Sequence, residues 1–429
     1  MLNVRDDIPD DNSTSIVITG DWSPGSGEFS ASLKQQGSAY FGDIMEDFRE
    51  SQLCVTNIET VLSDHDPLLK KSARKIVTEP DLAKLLNDLN IGLACLANNH
   101  IMDGGPSGLG DTIDCLNKSG IPTIGAGFMP EDVYKPFLHE LNGSRVALFN
   151  VAEGEEACEK YNDGVGAAYI ESFHFLKQLK KYKNLGFYII VICHAGVEFL
   201  PTPAPYIKEL FCSLLDEGAD LIVGHHPHVP QGFEIYKDKP IFYSLGNFAM
   251  WNENRRHYEY ESYMIKLKIS VDQLLSIEFV PYKIDRTKLK KLPLDKFEKL
   301  LGELNNLLKN RAQMIWEGYL YRNSIEARYL KQLALWPFNS KHLRHSQVNY
   351  HMSLNQKYIH LESFSTNLGI SDEVGAILDC WGISTKNLLL AKCMRFLENR
   401  FSIFFSCLVK GKSLLRYMRN SIFRIDKSS

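Results

Sequence analysis

Three histidines follow one short apolar run, DLIVG, and they are the clearest candidates for chemistry in the sequence: His225, His226 and His228. Successive side chains of an extended backbone alternate in direction, so His226 and His228 would point to the same side, about 7 Å apart along the chain, and His225 to the other. Two imidazoles directed at one point are typical of a divalent-metal site. The alternative is a polar loop in which histidines beside a proline have no ligand. The spacing therefore makes His226 and His228 candidate metal ligands and predicts that His225 faces away.

A second dense stretch, LANNHIMDGG, contains two asparagines, a histidine and an aspartate at close spacing. The amide oxygen of Asn99 is a suitable metal ligand, and His100 beside it is suited to donate a proton to a leaving group or a transition state. Asp103, three positions further on, would orient the His100 ring. The alternative for His100 is a histidine that only packs within a loop.

Similar polar residues follow four other β-rich apolar runs: Asp21 after SIVITG, Glu59 after LCVTNI, His194 after FYIIVIC, and Asn247 after PIFYSLG. In α/β sheets, ligands bind in the crevice beyond the carboxyl ends of the strands. Strands often end in polar loops without function, but repeated carboxylate, amide and imidazole endings favour a common cleft. We therefore expect side-chain atoms of six residues to lie within a sphere about 10 Å across, the size of a site for two metals. These residues are Asp21, Glu59, Asn99, His194, His226 and His228.

Further polar residues near these strand ends are candidates for contact with a substrate. Asn57 lies on the same side of an extended segment as Glu59, Glu198 follows His194 by four positions, and Asn247 ends its own strand. The mixture of nitrogen and oxygen donors favours Mn, Fe, Zn or Co over Ca or Mg.

The elements that must position these residues alternate between strands and helices, which predicts an α/β fold. The most apolar run, Phe187–Cys193, is typical of a strand at the centre of a sheet that is covered on both faces. Hairpin-like strands continue to about Ile284. Helices are predicted for EPDLAKLLNDLN and for Tyr40–Glu50, Leu109–Lys118, Phe173–Lys183 and Tyr206–Glu217.

Changes in composition along the chain predict three parts: a polar tail over 1–14, an α/β domain over 15–287 and a helical region over 288–429. The tail has no basic start followed by an apolar stretch, which argues against a signal peptide. No run of 18 or more apolar residues occurs, so no transmembrane helix is expected. The helical region is expected to pack on the core. The alternative for 401–424 is a basic amphipathic helix in peripheral contact with a membrane.

The overall charge and the cysteines indicate the type of partner and the compartment. A formal net charge of −4 gives no reason to expect nucleic-acid binding. Nine scattered cysteines form no CxxC pair, which favours a reducing, cytoplasmic location. The basic run Lys70, Lys71, Arg74 and Lys75 is typical of a solvated loop, and the alternative is contact with an anionic substrate.

Seven ordered motifs make the chain similar to a known family. They extend from about Ser15 to Asn247, a little over half of the chain, and read GD, NIET, LANNHIMDGG, SGIPTIGAG, HAGVEF, GADLIVGHHPHVPQG and IFYSLGNF. This part resembles the bacterial capsule synthesis protein family CapA, of the poly-γ-glutamate biosynthesis type, which is related to calcineurin-like metallophosphoesterases. The resemblance implies a calcineurin-like metallophosphatase-type sheet sandwich flanked by helices, with an additional C-terminal helical region outside the match.

The resemblance also implies a role for each candidate residue. Asp21 would bind one metal, Glu59 would bridge two, Asn99 and His194 would bind the second, and His226 and His228 would divide between them. His100 with Asp103 resembles the pair that protonates a leaving group. The related phosphoesterases have a histidine at the position of Ser23, so one metal site is a ligand short. Ala195 and the segment KIVTEP also depart from the aromatic and basic residues usual in the family.

Two classes of function follow from this resemblance. The first is a metal-dependent hydrolase or transferase of capsule or surface-polymer synthesis, which acts on a phosphoester or amide bond of a polymer or small-molecule substrate. It would hold one or two divalent ions and work beside other polymer-synthesis proteins. The second is a non-catalytic assembly or export factor that keeps the fold. The seven candidate ligand and acid residues favour the first class, and Ser23 favours the second.

Overall fold

Nineteen strands and eight α-helices form the part of the chain that the structure, a computed structural model, describes: residues 2–3, 13–64, 76–153, 157–159, 163–251 and 261–309. The strands are β1 Leu2–Asn3, β2 Ser13–Trp22, β3 Leu53–Ile58, β4 Val61–Leu62, β5 Val77–Thr78, β6 Ile91–Cys95, β7 Thr123–Ile124, β8 Ala126–Gly127, β9 Phe137–Leu141, β10 Ser144–Ala152, β11 Gly166–Ala167, β12 Tyr188–His194, β13 Leu221–His225, β14 Phe233–Tyr236, β15 Lys239–Phe242, β16 Asn247–Ala249, β17 Glu261–Ser270, β18 Gln273–Ile284 and β19 Leu289–Lys291. The helices are α1 Glu28–Gln36, α2 Met45–Arg49, α3 Ala83–Asp88, α4 Gly105–Lys118, α5 Pro130–Val133, α6 Phe173–Asn184, α7 Pro205–Asp216 and α8 Leu294–Lys309, and 3-10 turns cover Gly37–Ile44 and Pro80–Leu82.

Two large sheets form the framework. The first has the order β1–β18–β17–β2–β3–β6–β7, with β16 beside β2 and β19 beside β18. Its strands β2, β3, β6 and β7 are parallel, whereas β17 is antiparallel to β2. The second sheet has the order β14–β15–β13–β12–β10–β9, in which β10, β12, β13 and β15 are parallel. The predicted α/β class, with two sheets and flanking helices, is confirmed.

The two sheets share one apolar core. Alternate residues of the central strands point into it, because successive side chains of a strand lie on opposite faces. The core includes Ile16, Ile18, Leu53, Val55 and Leu93 of the first sheet and Val146, Leu148, Ile190, Ile192, Leu221 and Val223 of the second. Residues between these point outwards to the helices: the ring of Phe149 in β10 lies 5.7 Å from that of Phe175 in α6. Strand β12 is fully buried between β10 and β13, as predicted for a central strand.

The strand register places the carboxyl ends of neighbouring strands level with one another. In the first sheet Asp21 is opposite Asn57, and Asn57 is opposite Cys95. In the second sheet His194 is opposite His225. Because parallel strands end at the same edge of a sheet, the residues that follow these strands come together there.

A buried asparagine joins the ends of two strands from different sheets. In β10, Oδ1 of Asn150 accepts a hydrogen bond of 2.6 Å from the backbone N–H of Ala97, and Nδ2 donates one of 3.1 Å to the carbonyl of Ile192. Gly125 lies against this side chain, where a Cβ atom would be 2.2 Å from Oδ1 of Asn150, and its φ is +85°. Only glycine fits this position. The joined segments lead directly to Asn99 and to His194.

Helix α8 packs on the core although it lies beyond the predicted boundary at 287. Phe297 is buried within the core, with its ring 5.1 Å from that of Tyr263. Further along the helix, Oδ1 of Asn305 accepts a hydrogen bond of 2.7 Å from the backbone N–H of Phe233. The division of the chain at 287 stays a prediction, and α8 shows that contact with the core continues to about residue 309.

Several predictions fall on residues outside the described part of the chain. These are the basic run over 70–75, the predicted helical region beyond residue 309, which includes the basic helix over 401–424, and almost all of the tail over 1–14. Among the helices that the structure does describe, none combines the length and the apolar composition needed to cross a bilayer.

Candidate metal centre

The six side chains that we expected to converge lie together at the carboxyl ends of the two sheets. Strand β2 carries Asp21, and the segments after β3 and β6 carry Glu59 and Asn99. The second sheet contributes His194 at the end of β12, and the turn after β13 contributes His226 and His228. All six are at most 7% exposed. Burial of so many polar side chains is costly unless they bind one another or a ligand.

Four of these residues have the spacing of ligands around one ion. Nε2 of His194 lies 3.0 Å from Oδ1 of Asn99, 3.1 Å from Nδ1 of His226 and 3.6 Å from Oε1 of Glu59. Metal–ligand bonds of about 2.1 Å give separations of about 3.0 Å between adjacent ligands in an octahedron and about 3.4 Å in a tetrahedron. The donor set, two imidazoles with a carboxylate and an amide, suits a transition metal. The residues therefore fit a divalent ion.

A second group of potential ligands shares Glu59 with the first and consists of Asp21, Glu59 and His228. Nε2 of His228 lies 3.5 Å from Oε1 of Glu59, and its Nδ1 lies 3.6 Å from Oδ2 of Asp21. The amide of Asn247 is oriented by its Nδ2, which donates to the carbonyl of His228 over 3.1 Å. Its Oδ1 then accepts a hydrogen bond of 2.9 Å from Nδ1 of His228. This bond leaves Nε2 of His228 as the nitrogen available to a metal.

The orientation predicted for His225 is wrong. Its Nδ1 lies 2.8 Å from Oδ1 of Asp21, so the ring points into the same cluster as its neighbours. The prediction assumed an extended backbone, but β13 ends at His225, and φ is +94° at His226 and +60° at His228. Positive φ values are uncommon outside glycine and indicate a tight turn. This turn, and not strand alternation, brings all three histidines to the cluster.

Asp21 is held as a buried carboxylate. Its Oδ1 accepts hydrogen bonds from Nδ2 of Asn57 at 2.7 Å and from Nδ1 of His225 at 2.8 Å, and its Oδ2 accepts one from the backbone N–H of His226 at 3.2 Å. Burial alone would raise the pKa of this carboxyl, but interactions with His225, His194 and His228 outweigh burial, and the pKa lies well below its ordinary value. Asp21 is therefore ionised at neutral pH.

His194 is held as a neutral imidazole. Burial lowers the pKa of its ring well below 6.5, and the nearby ring of His226 lowers it further. Asn57 lies beside it, with Nδ2 at 3.2 Å from Nδ1 of His194. A neutral imidazole is the form that binds a metal.

We expect the metal-free protein to lose stability as the pH falls below about 6.5, the ordinary pKa of histidine. The unfolded chain takes up a proton at His194 in this range, whereas the folded protein does not until the pH reaches the lowered pKa. This difference destabilises the fold by up to about 1.4 kcal/mol per pH unit. Urea unfolding in the presence of a chelator, at about pH 7.5 and 5.5, measures the loss, and His194→Gln should reduce it. An equal loss in wild type and variant would exclude His194 as its source.

His100 and Asp103 form a buried pair directed at the same centre. Nδ1 of His100 donates a hydrogen bond of 2.7 Å to Oδ2 of Asp103, which also accepts the backbone N–H of Ile76 at 2.7 Å. The other ring nitrogen, Nε2, lies 4.0 Å from Oε1 of Glu59. With Nδ1 held by the carboxylate, Nε2 is the atom that can hold or release a proton toward a bound substrate.

Asn98 positions this pair and did not figure among the residues predicted to act. Its Oδ1 accepts a hydrogen bond of 3.0 Å from the backbone N–H of His100, and its Nδ2 donates one of 2.7 Å to the carbonyl of Ile58. The first sheet therefore fixes the turn that carries Asn99 and His100. The sequence contained a signal for this role, since Asn98 is a second asparagine that directly precedes Asn99 and His100.

The three candidate substrate contacts have different surroundings. Asn57 and Asn247 are buried and hydrogen-bond to members of the cluster, and their contact with a substrate stays a prediction. Glu198 is half-buried in the loop after β12, next to Phe199, whose ring centre is 5.7 Å from that of His228. Phe199 also has a positive φ of +61° and donates its backbone N–H to the carbonyl of Pro227. This loop thus forms one wall beside the histidine turn.

Comparison with known proteins gives one family match. A model of the family described as "Bacterial capsule synthesis protein PGA_cap" matches residues 15–251, more than half of the chain. The chain is 33% identical over 218 residues to the "PGA biosynthesis protein CapA" of Bacillus subtilis (strain 168), which covers 48% of this chain and 56% of that protein. It is 34% identical over 174 residues to the "Capsule biosynthesis protein CapA" of Bacillus anthracis, and this match covers 39% of this chain and 42% of that protein. The chain spans about half the length of these relatives.

The chain also has structural similarity to solved proteins. The crystal structure of a 5'-nucleotidase from Candida albicans SC5314 aligns with 73% of this chain and 58% of that one, at 15% identity and a TM-score of 0.36.

Proposed function

The chain belongs to the bacterial capsule synthesis protein PGA_cap family, and from this membership we propose that it is an accessory protein of capsule or poly-glutamate synthesis that acts as a metal-dependent hydrolase or transferase. The observation that supports catalysis is the direction of His100: its Nε2 faces Glu59, one of four donors with ligand spacing. A site that only stabilised the fold would not need an acid–base pair aimed at its ligands.

Glu59, Asn99, His194 and His226 would hold the ion, with Asp21 and His228 on the far side of Glu59. A divalent ion there would act as a Lewis acid toward a phosphoryl or acyl oxygen. The bond attacked is therefore a phosphoester or an amide of a surface polymer or of a small precursor.

The protein's own groups then handle the proton. Asp103 keeps the hydrogen on Nδ1 of His100 and stabilises the charged ring. Protonated Nε2 can donate to the oxygen or nitrogen that leaves. The buried position of His100, at 5% exposure, limits exchange of that proton with bulk water.

One observation supports the second class of function, a non-catalytic assembly or export factor. Ser23 occupies the position at which related phosphoesterases have a metal-binding histidine, and its hydroxyl donates to the backbone carbonyl of Glu59 at 2.8 Å. The Asp21 side of the centre therefore has fewer donors than the His194 side. A protein that had lost catalysis would be free to lose such a ligand.

The deciding experiment combines metal analysis with two assays on the purified full chain. We expect dialysed protein to retain a transition metal and to hydrolyse a chromogenic phosphodiester or a γ-glutamyl peptide, with loss on chelation and recovery with Mn²⁺. Metal retention without turnover of either substrate would favour the assembly factor. Protein that binds no metal would contradict the metal centre itself.

A further inference from the structure

We propose that the two halves of this centre bind metal unequally: one ion is held tightly by Glu59, Asn99, His194 and His226, and a second ion at the Asp21 side is held much more weakly. This inference rests on the proposed metal function and specifies how many ions the resting protein carries. It depends on three features of the chain, which are the hydrogen bonds of Asp21, the residue at position 23 and the spacing of the two ligand groups.

Asp21 is already occupied by donors of the protein. Its Oδ1 accepts from both Asn57 and His225, at 2.7 and 2.8 Å, which uses the two lone pairs of that oxygen. Its Oδ2 accepts the backbone N–H of His226 and retains one lone pair. A metal that takes Asp21 as a ligand must therefore use this last position or displace His225. Most of the hydrogen-bonding capacity of this carboxylate is therefore used to hold the histidine turn.

His225 is suited to this competing role and not to metal binding. It is 1% exposed, and its Nδ1 carries the hydrogen that Asp21 accepts. Its other nitrogen, Nε2, is buried and has no hydrogen-bond partner among the described residues. Within the described part of the chain, two groups of side chains have the spacing to hold an ion jointly, Glu59 with His194 and His226 and Asp21 with Glu59 and His228, and His225 is in neither.

Position 23 supplies no replacement ligand. The Ser23 hydroxyl donates its hydrogen to the carbonyl of Glu59, and the residue is 4% exposed. A neutral hydroxyl is a weak ligand compared with an imidazole. The Asp21 side is left with His228 and a share of Glu59, at separations of 3.5–3.6 Å, whereas the His194 side has four donors with closest separations of 3.0–3.1 Å.

The test is the number of Mn²⁺ ions bound by the full chain, measured by elemental analysis after dialysis and by calorimetric titration. We expect about one ion per chain after dialysis, and a second binding event that is weaker by at least roughly 10–100-fold, the usual effect of losing even an outer partner of a metal ligand. His226→Ala should empty the tight site, whereas Asp21→Asn should retain its ion. The exposed His174→Ala serves as the control for removal of a histidine.

Ser23→His tests the missing ligand directly, because an imidazole at that position should raise the retained Mn²⁺ to about two per chain. If this variant does not fold, the comparison of Asp21→Asn with His226→Ala still decides. Two tightly bound ions in the wild type, or loss of the first ion in Asp21→Asn, would overturn the inequality and leave the proposed metal function intact. A wild type that retains no Mn²⁺ would overturn both.

Discussion

Replacement of His100 by alanine should lower turnover roughly 10²–10⁴-fold, the usual contribution of a positioned acid–base group, while the protein keeps its metal. The ring nitrogen that faces the centre lies 4.0 Å from Glu59, beyond the spacing of the donors around His194. His100 therefore fits the role of proton donor better than that of ligand. Turnover of the phosphodiester or γ-glutamyl substrate and metal content per chain, measured on the same preparation, give the result.

Asp103→Asn provides the graded control for this experiment. It keeps the shape of the side chain but removes the charge that stabilises a protonated His100, so we expect a smaller loss of turnover and a shift of the pH–rate profile. Release of the metal by His100→Ala would show that His100 is a ligand and would refute its assignment as an acid. If wild type and variant are equally inactive on both substrates, the result favours a non-catalytic assembly or export factor.

Replacement of Phe297 by alanine should lower the free energy of unfolding by about 3–5 kcal/mol, the usual cost of removing a buried phenylalanine. Phe297 begins the contact of α8 with the core and is 3% exposed, with its ring 5.1 Å from that of Tyr263 and 5.9 Å from that of Phe279. Urea unfolding of the full chain measures the change. The result tests whether the predicted division at 287 cuts through a cooperative unit.

The neighbouring Lys296→Ala is a matched control, because its side chain is exposed on the same helix. Its effect should stay within about 0.5 kcal/mol, as for most surface substitutions. A similarly small effect of Phe297→Ala would mean that α8 contributes little to the core, and it would support a boundary at 287.

The convergence of the site could be predicted because it follows from strand direction. Asp21, Glu59 and Asn99 each end or follow a parallel strand of the first sheet, and all parallel strands of one sheet end at the same edge. His194 ends a parallel strand of the second sheet in the same way. No distance between residues was needed for this inference. The pairing of β2 with β17 was not predicted, since nothing in the local pattern of either strand specifies a partner so distant in sequence.

The position of His225 could not be predicted, because it depends on backbone angles that the sequence does not reveal. The predicted alternation of side-chain directions would be correct if the chain stayed extended, but His226 and His228 adopt positive φ. Such conformations are costly outside glycine and persist only when surrounding contacts fix them. Here the hydrogen bonds from His225 and from the backbone of His226 to Asp21 supply part of that fixation.

The role of Asn150 could be predicted from the sequence only in part. It is a lone amide in the apolar run VALFNVA, where a polar side chain must find partners or destabilise the strand. Its bonds to Ala97 and Ile192 show that the partners lie in both sheets. The sequence indicated that such a residue had a purpose, but only the structure identifies it as a link between the segments that carry Asn99 and His194.

The place of β2 in the first sheet has a consequence for synthesis of the chain. Asp21 lies on a strand whose neighbour β17 begins only at Glu261, so the ribosome releases this strand long before its antiparallel partner exists. Until then one edge of β2 presents unpaired backbone groups, which can pair wrongly with another chain. A fragment cut to the family match at residue 251 would keep every candidate ligand and still leave that edge open. Expression of the part with the candidate ligands alone should therefore yield a product that aggregates, whereas a chain that continues through β18 covers this edge of β2 with β17.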